Sequence, residues 1–114
     1  MGRIGGNTTI KVQIMALSRN RIGESIASWT TEQLLTGWLD LMSEEVRYNT
    51  FSAKVPDSSH VFICDYEKLS DQIQLENSRV VDEDGLIYDI KMIDDPMKLH
   101  EQLEIYLNYT GERL

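Results

Sequence analysis

The sequence predicts a mainly β protein: a small antiparallel, barrel-like sheet of about six to seven strands, with a long loop and room for a short helix. Three observations predict it. Apolar residues alternate with polar ones over short stretches. Those stretches are rich in β-branched and aromatic residues, and glycine- or aspartate-bearing punctuation falls between them. At 114 residues with 41% hydrophobic content, the chain is long enough to bury roughly two-thirds of its unfolded surface around one core. Residues 1–7 read as a flexible arm and residues 8–114 as a single β-rich domain.

Residues 8–17 alternate Ile10, Val12, Ile14 and Ala16 on one face against Lys11, Gln13, Met15 and Leu17 on the other, which is strand periodicity. Residues 18–23 are a turn by composition, and residues 25–31, rich in Ser and Thr around Trp29, form a second strand. Residues 34–42 give a third, with Leu35, Gly37, Leu39 and Leu41 opposite Trp38. A helix there is opposed by Thr36-Gly37. Ser43 can cap a short helix whose first turn carries Glu44 and Glu45. Past Phe51 the chain is polar and contains Pro56, so residues 43–59 make the least core-like internal segment, a long loop of the kind that often carries function.

Residues 60–66 are the clearest strand and read as central. Residues 67–77 are polar, with a helical turn possible around Leu69, Ile73 and Leu75. Residues 79–81 and 86–93 flank Asp82-Glu83-Asp84-Gly85. Asp-Gly between two β-rich runs is a strong hairpin signal, because glycine supplies the positive φ of a tight turn. The last segment admits two readings. Asp95 as N-cap and Pro96 at the first position can start a helix through Leu99, Leu103 and Leu107, but Leu103, Ile105, Leu107 and Tyr109 also alternate as in a strand. A single turn over residues 96–99 followed by a strand is favoured.

Nineteen acidic against eleven basic residues give a formal net charge of −8. A duplex binder that grips phosphates is basic on at least one face, and only Arg19/Arg21 and Lys91/Lys98 come near to clustering. Tight nucleic-acid binding is therefore not expected, whereas an acidic surface repels DNA passing nearby. Cys64 is the only cysteine, so no internal disulfide can form and a reducing compartment is expected. The N-terminus lacks a signal-peptide pattern, and no apolar run approaches a membrane span.

The chemistry-bearing residues do not converge on a reaction. His60 and Cys64 share a strand face, but zinc needs about four ligands, and a partly buried thiol beside an edge histidine is the simpler account. His100 belongs to another element. The Asp82–Gly85 run lacks the ligand spacing of a calcium loop. Asp94-Asp95 is better explained as loop and cap than as an acid–base pair, which in a strand would point to opposite faces. Trp29, Trp38, Tyr48 and Tyr66 could stack on bases, but without a basic groove they read as core or interface aromatics. No phosphate loop or nucleophile–base pair is present. No enzyme activity, metal or cofactor is expected.

The order of these features resembles a family. A Gly-containing turn leads to a Trp-bearing strand (Gly23 to Trp29); a strand with a central Trp38 precedes a polar excursion; the strand through His60 and Cys64 follows; then come Arg79-Val80-Val81, Gly85, Tyr88-Asp89-Ile90 and the apolar strand over residues 103–107. Over residues 8–109 this is similar to the small head–tail connector proteins of tailed bacteriophages, of the head-closure or stopper type. Trp29, Trp38, Arg79, Gly85, Tyr88, Asp89 and Ile90 carry the resemblance.

The resemblance implies a viral structural protein of the virion neck, assembled in the bacterial cytoplasm. It implies a homo-oligomeric ring of about a dozen copies that joins portal and adaptor ring proteins to the tail and controls DNA retention and ejection. A monomer in isolation is compatible with it. It implies that the final segment is a strand, and that a loop projects into the channel, here residues 43–59. On that basis Glu44, Glu45 and Asp57 would face double-stranded DNA, while Arg47 and Lys54 would touch its phosphates briefly. A tail-completion or minor tail protein is the nearest alternative. From another class, a monomeric host-interaction or regulatory domain would use exposed aromatics to bind a soluble partner.

Overall fold

The computed structural model describes residues 5–41 and 58–114. Within them six strands are joined antiparallel: β1 (Thr8–Arg19), β2 (Ser25–Leu41), β3 (His60–Asp65), β4 (Ser78–Val81), β5 (Leu86–Asp94) and β6 (Gln102–Arg113). The order β1-β2-β3-β6-β5-β4 returns to β1, so the sheet closes on itself in a barrel-like form. This is the mainly β, antiparallel architecture expected from the alternation. The single turn at Pro96 is a 3-10 turn, Pro96–Lys98, and a strand follows it. Among the described residues, no helix is long and apolar enough to cross a membrane.

The core follows the period of two. Ile10 and Val12 of β1, Leu35 of β2, Phe62 and Cys64 of β3, and Leu103, Ile105 and Leu107 of β6 turn inward and are almost wholly buried. Each such side chain contributes about 1.5–3 kcal/mol on leaving water. Trp38, one residue out of phase with Gly37 and Leu39, is exposed on the outer face. Tyr106 is buried on that outer side instead, against Val61 and Met92.

Three local expectations need correction. Residues 25–31 and 34–42 are not separate strands: β2 runs unbroken for 17 residues. The polar pair Glu32-Gln33 looked like a break, but the register shift opposite Val12/Gln13 takes Glu32 up as a bulge. Gln33 then ties the 66–77 connection to the strand, donating to the Lys68 carbonyl at 3.1 Å and accepting from the Ser70 amide at 2.9 Å. In that connection the suggested helical turn is absent. It consists of hydrogen-bonded turns, Ile73 to Ser70 and Asn77 to Gln74, while Leu69 and Ile73 pack on the core. Finally, Asp95 makes no side-chain cap to the turn at Pro96. Its carboxylate accepts the His100 amide at 2.9 Å and pairs with the His100 ring.

The β4–β5 hairpin forms where Asp84-Gly85 predicts it. The Gly85 amide donates to the Asp82 carbonyl at 3.0 Å, the Asp82 amide donates to that of Leu86 at 3.1 Å, and Gly85 has φ +84. This is a tight turn closed by a glycine in the left-handed region, a three-residue hairpin loop. Arg79↔Asp89, Val80↔Tyr88 and Val81↔Ile87 then pair across it.

Candidate functional site

The feature that departs most from a plain closed sheet is the far half of the β1–β2 hairpin. β4 pairs with β1 only as far as Ile14, and β3 pairs with β2 only from Gly37 onward. Beyond the hydrogen bond from the Met15 amide to the Asn77 carbonyl, β1 and β2 pair, among the described residues, only with each other, through Met15↔Trp29 to Arg19↔Ser25. Five paired positions and their turn, at about 3.3 Å per residue, add roughly 20 Å of two-stranded ribbon. The molecule measures 52 × 30 × 26 Å accordingly.

The ribbon is well built and poorly covered. At its tip the Asn20 side chain accepts the amides of Ile22 at 3.1 Å and Glu24 at 2.9 Å, and its backbone bonds to Gly23 and Glu24. Leu17 is 69% exposed, Ile22 79%, Ile26 45% and Trp29 36%. At its root, the Arg79 guanidinium lies 4.2 Å from the Trp29 ring and donates through Nε to Gln13 Oε1 at 2.8 Å. Two of the residues that carry the family resemblance, Trp29 and Arg79, therefore meet, with Asp89 across the strand from Arg79.

The opposite end holds a second grouping. Tyr88 is buried and donates its hydroxyl to Asp82 Oδ2 at 2.8 Å, while Asp82 Oδ1 accepts the amides of Asp84 and Leu86, each at 2.9 Å. The His60 ring packs edge-on to Tyr88 with centroids 5.1 Å apart. Ser59 Oγ accepts the Tyr109 amide at 2.8 Å and shares a hydrogen bond with His60 Nδ1, also at 2.8 Å. Sequence reasoning missed this cluster. The available signal was an aspartate ahead of a turn glycine with a tyrosine two strand positions beyond, which places both on one face.

Burial holds the His60 ring below the ordinary histidine value, against the opposing attraction of Asp82. The unfolded chain protonates near pH 6.5 while the folded one does not, so stability is full above that value and declines as pH falls through it. Urea denaturation at pH 7.5 and 5.5 is expected to give a smaller difference for His60→Gln than for the wild type. An unchanged difference would refute the assignment.

The other expected positions fall as follows. His60 and Cys64 share a face but stand four residues apart on one strand, about 13 Å, too far to hold one ion. Among the described residues, no group of three or more His, Cys, Asp or Glu is arranged to hold a metal. Cys64 is buried in the core and its thiol is pushed up to about 11. Asp94 pairs with Glu104, which in turn faces Ile63, three positions along β3 from His60 and on the other face of the sheet, so the two share no cleft. Ile90 is in the core and Gly85 in the turn. Glu44, Glu45, Arg47, Lys54 and Asp57 lie outside the described residues.

No family model matches the chain, and no curated protein matches it. A solved structure does: the solution structure of protein SF1141 from Shigella flexneri 2a is similar at a TM-score of 0.70 and 18% sequence identity, with 99% of this chain and 100% of that chain covered. At that identity the likeness establishes a shared fold and nothing about activity.

Proposed function

We propose that the chain is a structural head-closure subunit of a tailed bacteriophage, one of about a dozen copies in a ring that joins the portal and adaptor to the tail and governs retention and exit of the genome. The observation that carries the reading is the β1–β2 ribbon. A two-stranded ribbon is marginally stable in water on its own, and this one exposes Leu17, Ile22 and Ile26 along two edges that no other described strand pairs. Such an element gains cover from a neighbouring molecule, as a joining part requires. The formal charge of −8 supports the same reading: an acidic conduit repels phosphate and lets DNA slide without adhering.

Deleting the coding sequence from the virus or prophage that carries it tests the role. Negative-stain micrographs are expected to reveal finished heads and finished tails that remain unjoined, with heads that leak DNA. Defective tail ends on otherwise complete heads would favour the tail-completion alternative. Normal infectious particles would overturn a virion role altogether.

A further inference from the structure

The two ends of the molecule carry opposite chemistry. The ribbon holds Arg19 and Arg21 against Glu24, so it is net positive in a chain whose total is −8. At the far end the β4–β5 turn presents Asp82, Glu83 and Asp84 in succession. Two shallow grooves flank that turn. One, of about 350 Å³, is lined by Thr9, Lys11, Leu34, Asp82 and Glu83. The other, of about 300 Å³, shares Asp82 and Glu83 and adds Leu39 and Asp84. In the first, Leu34 is 56% exposed, an apolar patch beside carboxylates. Glu83 is held in place by the Thr9 amide, which donates to its Oε1 at 2.8 Å and leaves Oε2 to another donor. Among the described residues that line it, Lys11 is the one cation.

We infer that the ribbon tip of one copy seats in the Leu34 groove of a second copy, with Ile22 against Leu34 and Arg21 beside Asp82 and Glu83. This rests on the ring-forming part of the proposed function and names the contact. Charge complementarity selects the occupant. Two copies approaching body to body bring like charges together, whereas ribbon to turn brings unlike charges together and covers an exposed isoleucine with an exposed leucine. Leu34 pairs with Lys11, nine positions along β1 from Asn20 at the tip, roughly 30 Å away, so one chain cannot satisfy itself. Each copy offers its tip to one neighbour and its groove to another, a heterologous contact that propagates head to tail and closes into a ring when the rotation allows.

Cysteine pairing tests the contact. Ile22→Cys and Leu34→Cys alter exposed side chains, and Cys64 is buried with its thiol held protonated, so it stays out of the reaction. The two single variants, one enlarged by a tag, are mixed and oxidised with diamide. The mixed dimer is expected in about tenfold excess over either homodimer, and the double variant should give a ladder beyond dimer. Adding Arg19→Glu and Arg21→Glu to the Ile22→Cys chain should cut the mixed product about tenfold. Homodimers in excess, no cross-link at millimolar protein, or a yield indifferent to the charge reversal would each overturn the inference. Its failure is separable from that of the neck role: cross-linking alongside normal virions removes only the role, and unjoined heads and tails without cross-linking remove only the contact.

Discussion

A single methyl group at position 37 is expected to unfold much of the protein. Gly37 lies on the inner face of β2 between Leu35 and Leu39, opposite Cys64 of β3. A Cβ there would run into the Ile63 carbonyl, and would stand 2.8 Å from the Cβ of Cys64 and 2.9 Å from Cζ of Phe62. Gly6 crowds it from the other side, where the Asn7 amide donates to the Gly37 carbonyl at 3.1 Å. The Ile63 and Cys64 atoms are backbone and Cβ, and Phe62 is fully buried in the core, so none can swing aside cheaply. Overpacking of a core costs about 1–3 kcal/mol when side chains can adjust. Here the β2–β3 ladder itself must move, so Gly37→Ala is expected to cost about 3 kcal/mol or more, a large share of the 5–15 kcal/mol that holds a typical domain. Thermal unfolding followed by circular dichroism should drop by roughly 10 °C or more. A midpoint unchanged within about 2 °C would disprove the close approach. Thr36→Ala, next door on the outer face, serves as the comparison and should cost far less, since it loses only the exposed bond from Thr36 to Thr9.

Gly37 also indicates what a sequence can and cannot disclose. That it shares a face with Leu35 and Leu39 follows from alternation alone. That this face must be bare follows from the pairing with Cys64, a residue distant in the chain. The same division runs through the fold. The Asp84-Gly85 hairpin is legible because its cause is local: one glycine, one aspartate and the conformations they favour. The continuity of β2 is not, because Glu32 and Gln33 look like a break until Val12 and the Ser70 amide supply their partners. The ribbon is half legible. Two β-rich stretches around the turn at residues 18–23 announce a hairpin. That the sheet stops covering it at Ile14 depends on the short length of β4, which nothing near Trp29 records. Within the resemblance, Arg79 and Trp29 come together at the root of that ribbon, while the residues expected to line a channel belong to a segment whose role rests on the resemblance alone.

Removing the carboxylate of Asp82 is expected to cost about as much as any other polar change. One oxygen accepts the amides of Asp84 and Leu86 at 2.9 Å each, and the other accepts the Tyr88 hydroxyl at 2.8 Å. Tyr88 is 2% exposed, so its hydroxyl loses the carboxylate that satisfies it when the partner is gone. Burial and this same bond push the phenol above the ordinary tyrosine range. A hydrogen bond to a charged group contributes about 1.5–3 kcal/mol, and a buried donor left unpaired adds its desolvation penalty. The three bonds are not additive, and Asp82→Ala is expected to cost about 3 kcal/mol in urea denaturation, with Asp82→Asn recovering part of it. Tyr88→Phe removes donor and demand together, so in the Tyr88→Phe background Asp82→Ala should cost less by about 1 kcal/mol or more. Equal costs in the two backgrounds would mean that the turn amides alone account for Asp82. The coupling, if measured, ties the hairpin turn to the core through a single side chain. The wall of the Leu34 groove is then held by the closed sheet beneath it, and in the proposed contact a ribbon tip from another copy would meet carboxylates already fixed in place.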